Sequence, residues 1–241
     1  MRLTVYNGSP RGVHSNTKVL LSSFLKGFVD TPGNSYELTY LINKKRRDEH
    51  LGLFRNADHV LLAFPLYFDS MPAAVKEFIE ALAPLRGRVG NPSIGFIVQS
   101  GFPESIHSEW LARYLARLAK RLGSEFKGTV IRGGVEGIRI SSRQQSLLGK
   151  LIIKIAVATN LARVGHFFNT EKICRTFFDL GKIFGKTSHF DQEIIAALAQ
   201  PRRISKLSFW IVKTAVHLIY WDQMLKSNNA YGQRFMRPYT T

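Results

Sequence analysis

The sequence predicts an α/β protein: a doubly wound parallel sheet of five strands in the order 2-1-3-4-5, continued by an all-helical C-terminal extension. Two observations carry this. Strand-like and helix-like segments alternate from Arg2 to about residue 140, and parallel neighbours need right-handed crossovers of about that length. The third strand segment, His59-Val60-Leu61-Leu62-Ala63-Phe64, is a continuous apolar run bounded by turn signals, as expected of a strand covered on both faces.

Arg2 to Asn7 is a short β-rich segment that feeds the turn Gly8-Ser9-Pro10-Arg11-Gly12. A helix follows, with Val19, Leu20, Phe24 and Phe28 on one face and Ser15 or Asn16 as N-cap, and Thr31-Pro32-Gly33-Asn34 ends it. Tyr36 to Ile42 reads as the second strand and Asp48 to Asn56 as a brief helix. After the third strand, Val75, Phe78, Ile79 and Leu82 repeat at helical spacing. Pro92 to Gln99 supplies the fourth strand. A long helix is expected to turn one side inward through Ile106, Trp110, Leu111, Tyr114, Leu115, Leu118 and Leu122, before a fifth strand at Phe126 to Ile131. Five strands so connected point to the flavodoxin-like arrangement.

From about Ser141 the pattern is helical only, over roughly 143–165, 170–185, 190–199 and 205–227. No Pro- or Gly-rich spacer marks the change. We therefore expect a sheet domain over 1–140 and a helical extension over 141–241 that packs on the sheet domain or on a second subunit.

With 45% hydrophobic and 21% charged residues, the composition excludes intrinsic disorder. Thirty-four Lys and Arg against 17 Asp and Glu give a net charge of +17, a field that favours phosphates, nucleic acid or acidic lipid. The nearest thing to a basic tract is Lys44-Lys45-Arg46-Arg47, read first as a solvated loop and second as a phosphate clamp. One cysteine, Cys174, rules out an internal disulfide and a Cys-rich metal site. The chain passes from Met1 straight into a strand-like segment without a signal-peptide pattern, so a cytoplasmic location is expected. The apolar stretches Leu147 to Phe168 and Leu207 to Trp221 are interrupted by Lys150, Lys154, Arg163, Lys213 and His217, and read as buried or interfacial helices rather than membrane spans.

In an open parallel sheet the ligand lies beyond the carboxyl ends of the strands, where strand order reverses. Three loops leave those ends. Gly8 to Thr17 combines a Gly-rich turn, hydroxyls, the amides of a helix N-terminus and Arg11, a set suited to a phosphate; it is neither a Walker motif nor a dinucleotide fingerprint, which argues against nucleotide hydrolysis. Pro65-Leu66-Tyr67-Phe68-Asp69-Ser70-Met71-Pro72 carries aromatic groups that belong either to a core or to the wall of a planar ring. Gln99-Ser100-Gly101-Phe102-Pro103-Glu104 offers backbone amides to the polar edge of such a ring.

Taken together, Asn7-Gly8-Ser9-Pro10-Arg11 with Ser15-Asn16-Thr17, then Pro65-Leu66-Tyr67-Phe68 with Met71-Pro72 and Lys76-Glu77-Phe78-Ile79, resemble the flavodoxin-like NAD(P)H-dependent FMN reductases. The resemblance spans roughly residues 1 to 140. Leu180-Gly181-Lys182, Phe190-Asp191, Trp221-Asp222, Asn228-Asn229-Ala230 and Arg237-Pro238-Tyr239 look like an extension found in some members. The resemblance implies that Ser9, Pro10, Arg11, Ser15, Asn16 and Thr17 hold the FMN phosphate. It implies further that Pro65, Leu66, Tyr67 and Phe68 flank the isoalloxazine, and that Ser100, Gly101 and Phe102 meet its pyrimidine edge. His14 would add charge to the phosphate site or simply stand exposed in the loop. Where relatives with iron-sulfur clusters carry cysteines after the second strand, this chain has Lys44 to Asp48, which implies no cluster.

The implied reaction passes a hydride from NAD(P)H to FMN and on to an acceptor such as a quinone, a nitro or azo compound, a flavin or a redox protein. It needs no catalytic acid or base from the protein. In keeping with this, the seven histidines are dispersed, and Glu104, Glu136 and Asp191 read as caps and surface charge. Two rivals stand beside it: a flavin-binding electron carrier without nicotinamide turnover, and a basic protein associated with a membrane surface or nucleic acid. No motif for specific nucleic-acid binding supports the latter. A homodimer is the expected assembly.

Overall fold

The computed structural model describes residues 1–136, 169–206, 209–210, 213–214 and 221–236. The expected helix over 143–165 lies outside these residues. The chain divides into two compact units, one formed by 1–136 with 170–203 and the other by 137–169 with 204–241.

The first unit holds β1 (Arg2–Asn7), α1 (Asn16–Val29), β2 (Ser35–Tyr40), α2 (Arg47–Arg55), β3 (His59–Pro65), α3 (Ala73–Ala81), β4 (Ser93–Gln99), α4 (Ile106–Leu122), β5 (Phe126–Arg132), α5 (Thr170–Thr187) and α6 (Gln192–Leu198). The sheet is five-stranded and parallel, in the order β2-β1-β3-β4-β5, as the sequence predicts. β2 stops at Tyr40 rather than Ile42 because its neighbour runs out: Tyr40 pairs with Asn7, the last residue of β1, and Asn43 N–H then closes a turn onto the Tyr40 carbonyl.

Side chains alternate across the strands, so each face has its own core. On one face Tyr6, Leu62, Phe64, Phe96 and Val98 pack with Phe54, Phe78, Ile79, Leu111 and Leu115 from α2, α3 and α4. Burying each of these large side chains contributes about 1.5–3 kcal/mol. The inward stripe of α4 is Leu111, Leu115, Ala119 and Leu122; Trp110 and Tyr114, expected inside, lie on the solvent flank. Each sits about 100° around the helix from its buried neighbour Leu111 or Leu115, and that turn carries it past the edge of the core.

The other face is covered by α1, α5 and α6. α1 turns Leu20, Phe24 and Phe28 inward as expected, joined by Leu21 and Leu25, while Val19, expected on the same face, is exposed. The rings of Phe24 and Phe184 meet tilted at 5.7 Å, and those of Phe184 and Phe190 at 4.9 Å. The two helices cross at glycines: a Cβ on Gly181 would lie 1.9 Å from the Phe24 carbonyl oxygen, and one on Gly27 would lie 1.9 Å from that of Phe178. Lys182 Nζ reaches Asp30 at 2.6 Å beside this crossing.

In the second unit, Lys206, Phe209, Trp210, Lys213 and Thr214 are helical, and α7 (Asp222–Ser227) precedes a single 3-10 turn at Tyr231–Gln233. Arg234 donates to the Tyr231 hydroxyl at 2.8 Å, faces Asp222 at 3.6 Å and lies over the rings of Tyr231 and Phe235.

Candidate functional site

Strand order reverses between β1 and β3, and the loops that leave β1, β3 and β4 meet at that edge. The first loop is tied down from below. Asn7, fully buried at the end of β1, accepts the Ser9 N–H at 2.9 Å and extends its amide toward the Gly12 carbonyl and Ser15 Oγ, each at 3.4 Å. Ser15 is the N-cap of α1: its Oγ accepts the Lys18 N–H at 3.1 Å and donates to the Gly12 carbonyl at 2.7 Å. The Asn16 and Thr17 N–H groups precede the first intrahelical hydrogen bond of α1, in a loop that also carries the exposed Arg11. Gly8 is required by close approach: a Cβ there would sit 2.2 Å from Val75 Cγ2 of α3, so a side chain would lift the loop off the sheet.

The second loop is a tight reversal. Tyr67 and Ser70 exchange both backbone hydrogen bonds at 2.9 Å, and Phe68 and Asp69 between them adopt φ of 47° and 58°, as a type I′ turn demands. A bulky residue pays for the left-handed region with about 1 kcal/mol or more. Phe68 is also fully exposed, at 102% of its reference area, so packing does not offset that cost.

The third loop begins at Gln99, a buried residue whose Nε2 donates to Thr17 Oγ1 at 3.2 Å and so ties β4 to the first turn of α1. Asn16 Nδ2 donates to the Val135 carbonyl at 3.1 Å and joins that turn to the segment after β5. Beside Gln99 in register lies Arg132, whose guanidinium burial pulls down to about 10, still cationic at neutral pH. The first amides of α4 do not form a second anion site, since Ser105 and Ile106 donate to the carbonyls of Pro201 and Arg202.

A cleft of about 90 Å³ opens between the loops. Of the residues named from the sequence, Ser9, Arg11, Ser15 and Asn16 line it from one side, and Pro65, Leu66, Tyr67 and Gly101 from the other. Thr17 lies beneath, with its hydroxyl taken by Gln99. Pro10 is exposed on the loop, Ser100 Oγ donates to the Phe102 carbonyl at 2.9 Å, and Phe68 and Phe102 stand exposed. His14 is exposed. Sequence reasoning missed Asn7, Gln99 and Glu136 as site residues. The first two carried a signal, a polar amide closing an apolar strand. Glu136, read as a cap or surface charge, lines the cleft with Gly101, its Cγ 3.1 Å from where a Gly101 Cβ would be. Asp191 is the cap it was expected to be, accepting the Ile194 N–H at 2.9 Å.

A larger cleft of about 360 Å³ lies between α2 and α3, floored by Leu41, His50 and Phe78 and edged by Arg47, Glu77 and Glu80. Within the basic tract beside it, Arg46 is ion-paired to Glu49. Among the described residues no group of His, Cys, Asp and Glu is placed to hold a metal ion, and no helix is long and apolar enough to cross a membrane.

Residues 1–84 match a family model described as the flavodoxin-like fold, the region in which the first two loop motifs lie. No curated protein matches the chain. Among solved structures, the chain is similar to an NADH:FMN oxidoreductase in its apo form, with 15% identity and a TM-score of 0.51 over 83% of this chain and 96% of that one. It is also similar to the azoreductase AzrA, with 14% identity and a TM-score of 0.51 over 77% and 99% of the two chains. An FMN-dependent NADH-azoreductase from Bacillus anthracis str. Ames Ancestor, solved with FMN, gives 12% identity and a TM-score of 0.50 over 77% and 97%. At these identities the likeness is one of fold.

Proposed function

We propose that this chain, flavodoxin-like in fold and family match, is an FMN-dependent oxidoreductase that takes reducing equivalents from NAD(P)H and passes them to a small-molecule or redox-protein acceptor. The observation that carries this is the meeting of a capped helix N-terminus, an aromatic turn and a glycine-opened turn at the β1/β3 reversal, the position at which flavodoxin holds FMN. The named neighbours that bind FMN or reduce azo compounds have the same architecture and support the reading.

The residues present fit the group. The side of the cleft lined by Ser9, Arg11, Ser15 and Asn16 has the donor chemistry of a phosphate site, with helix amides and one guanidinium and no carboxylate among those four. Pro65, Leu66 and Tyr67 offer an apolar wall to a planar ring, and Gly101 leaves backbone close to the ring's polar edge. Glu136, at the Gly101 end, accepts from an N–H or hydroxyl rather than meeting a phosphate. Bound FMN would supply hydride chemistry, accepting from reduced nicotinamide and delivering to the acceptor. The protein's part is to grip the phosphate, hold the ring against Tyr67 and keep the loops fixed through Asn7, Gln99 and Asn16.

Two measurements test this. Calorimetric titration of the protein with FMN is expected to show one site per chain, and anaerobic addition of NADH or NADPH is expected to bleach the flavin bands. Protein that takes up no FMN overturns the reading; protein that takes up FMN and stays oxidised is an electron carrier instead.

A further inference from the structure

We infer that the outer face of α4, together with the exposed tips of the second and third loops, is a seat for an anionic membrane surface. Positions 107, 110, 114, 117 and 121 follow the 3-4-3-4 spacing that keeps residues on one side of a helix, and they read His107, Trp110, Tyr114, Arg117 and Arg121. Arg113 and Lys120 flank this line and are exposed. The stripe runs for about 21 Å. Trp110 is 72% exposed and carries the Arg113 guanidinium 4.6 Å above its ring; Tyr114 is 42% exposed.

At its N-terminal end the stripe continues into the cleft loops. The Phe102 ring lies 5.0 Å from His107, and His107 Nδ1 is 3.7 Å from the Asp69 carboxylate, next in sequence to the fully exposed Phe68. Aromatic rings therefore extend from the cofactor cleft along half the helix, and cations occupy the other half. Carboxylates are confined to the margins: Glu104 and Asp69 face His107, and Glu109 is held by Arg202 through two hydrogen bonds, at 2.6 and 3.0 Å. At the C-terminal end the Gly87 N–H donates to the Arg121 carbonyl, bringing the exposed Arg86-Gly87-Arg88 turn alongside Lys120 and Arg121.

Charge and shape choose the occupant. A second copy of this chain packed on the same stripe would gather the cations of both copies, Arg113, Arg117, Lys120 and Arg121, at one interface with no carboxylate on the stripe itself to pair them. A duplex nucleic acid would use the cations through its phosphates but leave the exposed aromatic tips at Phe68 and Phe102 in water. An anionic bilayer uses both, since tryptophan and tyrosine settle at the headgroup level and each Lys or Arg near the surface adds about fivefold in affinity. This orientation also turns the rim of the cleft toward lipid, a consequence that rests on the function proposed above.

The test is cosedimentation of the full chain with vesicles of phosphatidylcholine and phosphatidylglycerol, compared with phosphatidylcholine alone, at physiological salt. No flavin is needed, so failure of FMN binding leaves this result readable. Arg117→Gln with Arg121→Gln is expected to lower binding to the mixed vesicles about thirtyfold, and Trp110→Ala with Tyr114→Ala, which keeps the charge, about tenfold. Lys26→Gln with Arg175→Gln removes the same charge from the opposite face of the sheet and is expected to change binding less than about threefold. Circular dichroism and melting curves confirm that each variant is folded. Equal loss in the Lys26/Arg175 variant overturns the proposal in favour of bulk charge. Unchanged binding in the aromatic variant overturns it as well. Transfer RNA that displaces the protein from vesicles, and binds it in a way that depends on Arg117 and Arg121, makes the stripe a nucleic-acid surface instead.

Discussion

The two faces of the sheet are held by opposite means. Between α1 and α5 the backbones touch: Gly27 and Gly181 have no room for a methyl group, and the aromatic rings of Phe24, Phe28, Phe184 and Phe190 fill the space around them. On the other face α2, α3 and α4 stand off on long side chains such as Phe78, Leu111 and Leu115. One face therefore resists added atoms and the other resists lost ones. The first closes a helix that the chain supplies from beyond residue 169, whereas the second leaves α4 with a free outer flank.

That contrast breaks unless removing atoms from one face and adding one to the other both destabilise. Leu115→Ala removes a fully buried side chain from the middle of the α4 core and is expected to cost about 3 kcal/mol, mostly as a cavity. Gly181→Ala adds one methyl group where the Phe24 carbonyl lies 1.9 Å away; the helix-propensity gain of about 1 kcal/mol is outweighed by the forced separation of α1 and α5, for a net cost of about 2 kcal/mol. Urea unfolding of both variants checks this. A Gly181→Ala protein as stable as its parent removes the backbone contact as the basis of that face.

How much of this the sequence showed follows the range of the interactions. Period and apolar runs within about ten residues placed all five strands, because each strand announces itself locally, whereas their order came from the flavodoxin-like arrangement that five so-connected strands point to. Trp110 and Tyr114 were misplaced because helical spacing finds an apolar arc but not its edges; which flank meets the sheet is decided by α3 and by the twist of the strands. The partnership of α1 with α5 was out of reach, since Gly27 and Gly181 are 154 positions apart and a glycine carries no periodic signal. At the cleft, the Ser15 cap was legible because helix capping is local chemistry, and Ser9 and Arg11 line the same cleft because they belong to the loop that cap closes. Gln99 acts across the sheet, on Thr17, and Asn7 acts back on its own loop at Ser15; a lone amide at a strand end did not by itself announce either bond.

The cleft sharpens the comparison, because α1 begins there on one face and the exposed aromatic tips stand there on the other. Ser15→Ala deletes the cap of α1 and the brace on Gly12, and is expected to cost about 1 kcal/mol in stability and about tenfold in FMN affinity, read by unfolding and calorimetry. An unchanged affinity would separate the cap from the phosphate site. Phe68→Asn has the opposite sign. Asn tolerates the left-handed backbone at φ 47°, so stability is expected to rise by about 0.5 kcal/mol while binding to anionic vesicles falls. A variant that loses stability shows that the Phe68 ring packs against something on the surface after all.

The smallest effect is a pH dependence shared by both faces. His50, whose Nε2 lies 3.1 Å from Thr39 Oγ1 beneath α2, and His59, whose Nδ1 lies 2.7 Å from Ser93 Oγ, both have their pKa lowered, chiefly by burial. Arg46 adds to the shift at His50 and Lys127 to that at His59. Each histidine is thus neutral in the folded chain at a pH where the unfolded chain, titrating near 6.5, has begun to take up a proton. The stability they contribute is complete above that value and is lost as the pH falls from it toward the folded pKa. By strand alternation His59 shares the face of Leu61, under α1 and α5, while His50 belongs to the other face, so the two are separable. His50→Gln is expected to flatten the fall in melting temperature between about pH 7 and 5 by removing one of two contributions, and His59→Gln the other. Should His50→Gln leave the profile unchanged while His59→Gln flattens it, acid loosens the sheet from the glycine-packed face alone, and the side-chain-packed face is the one that tolerates charge.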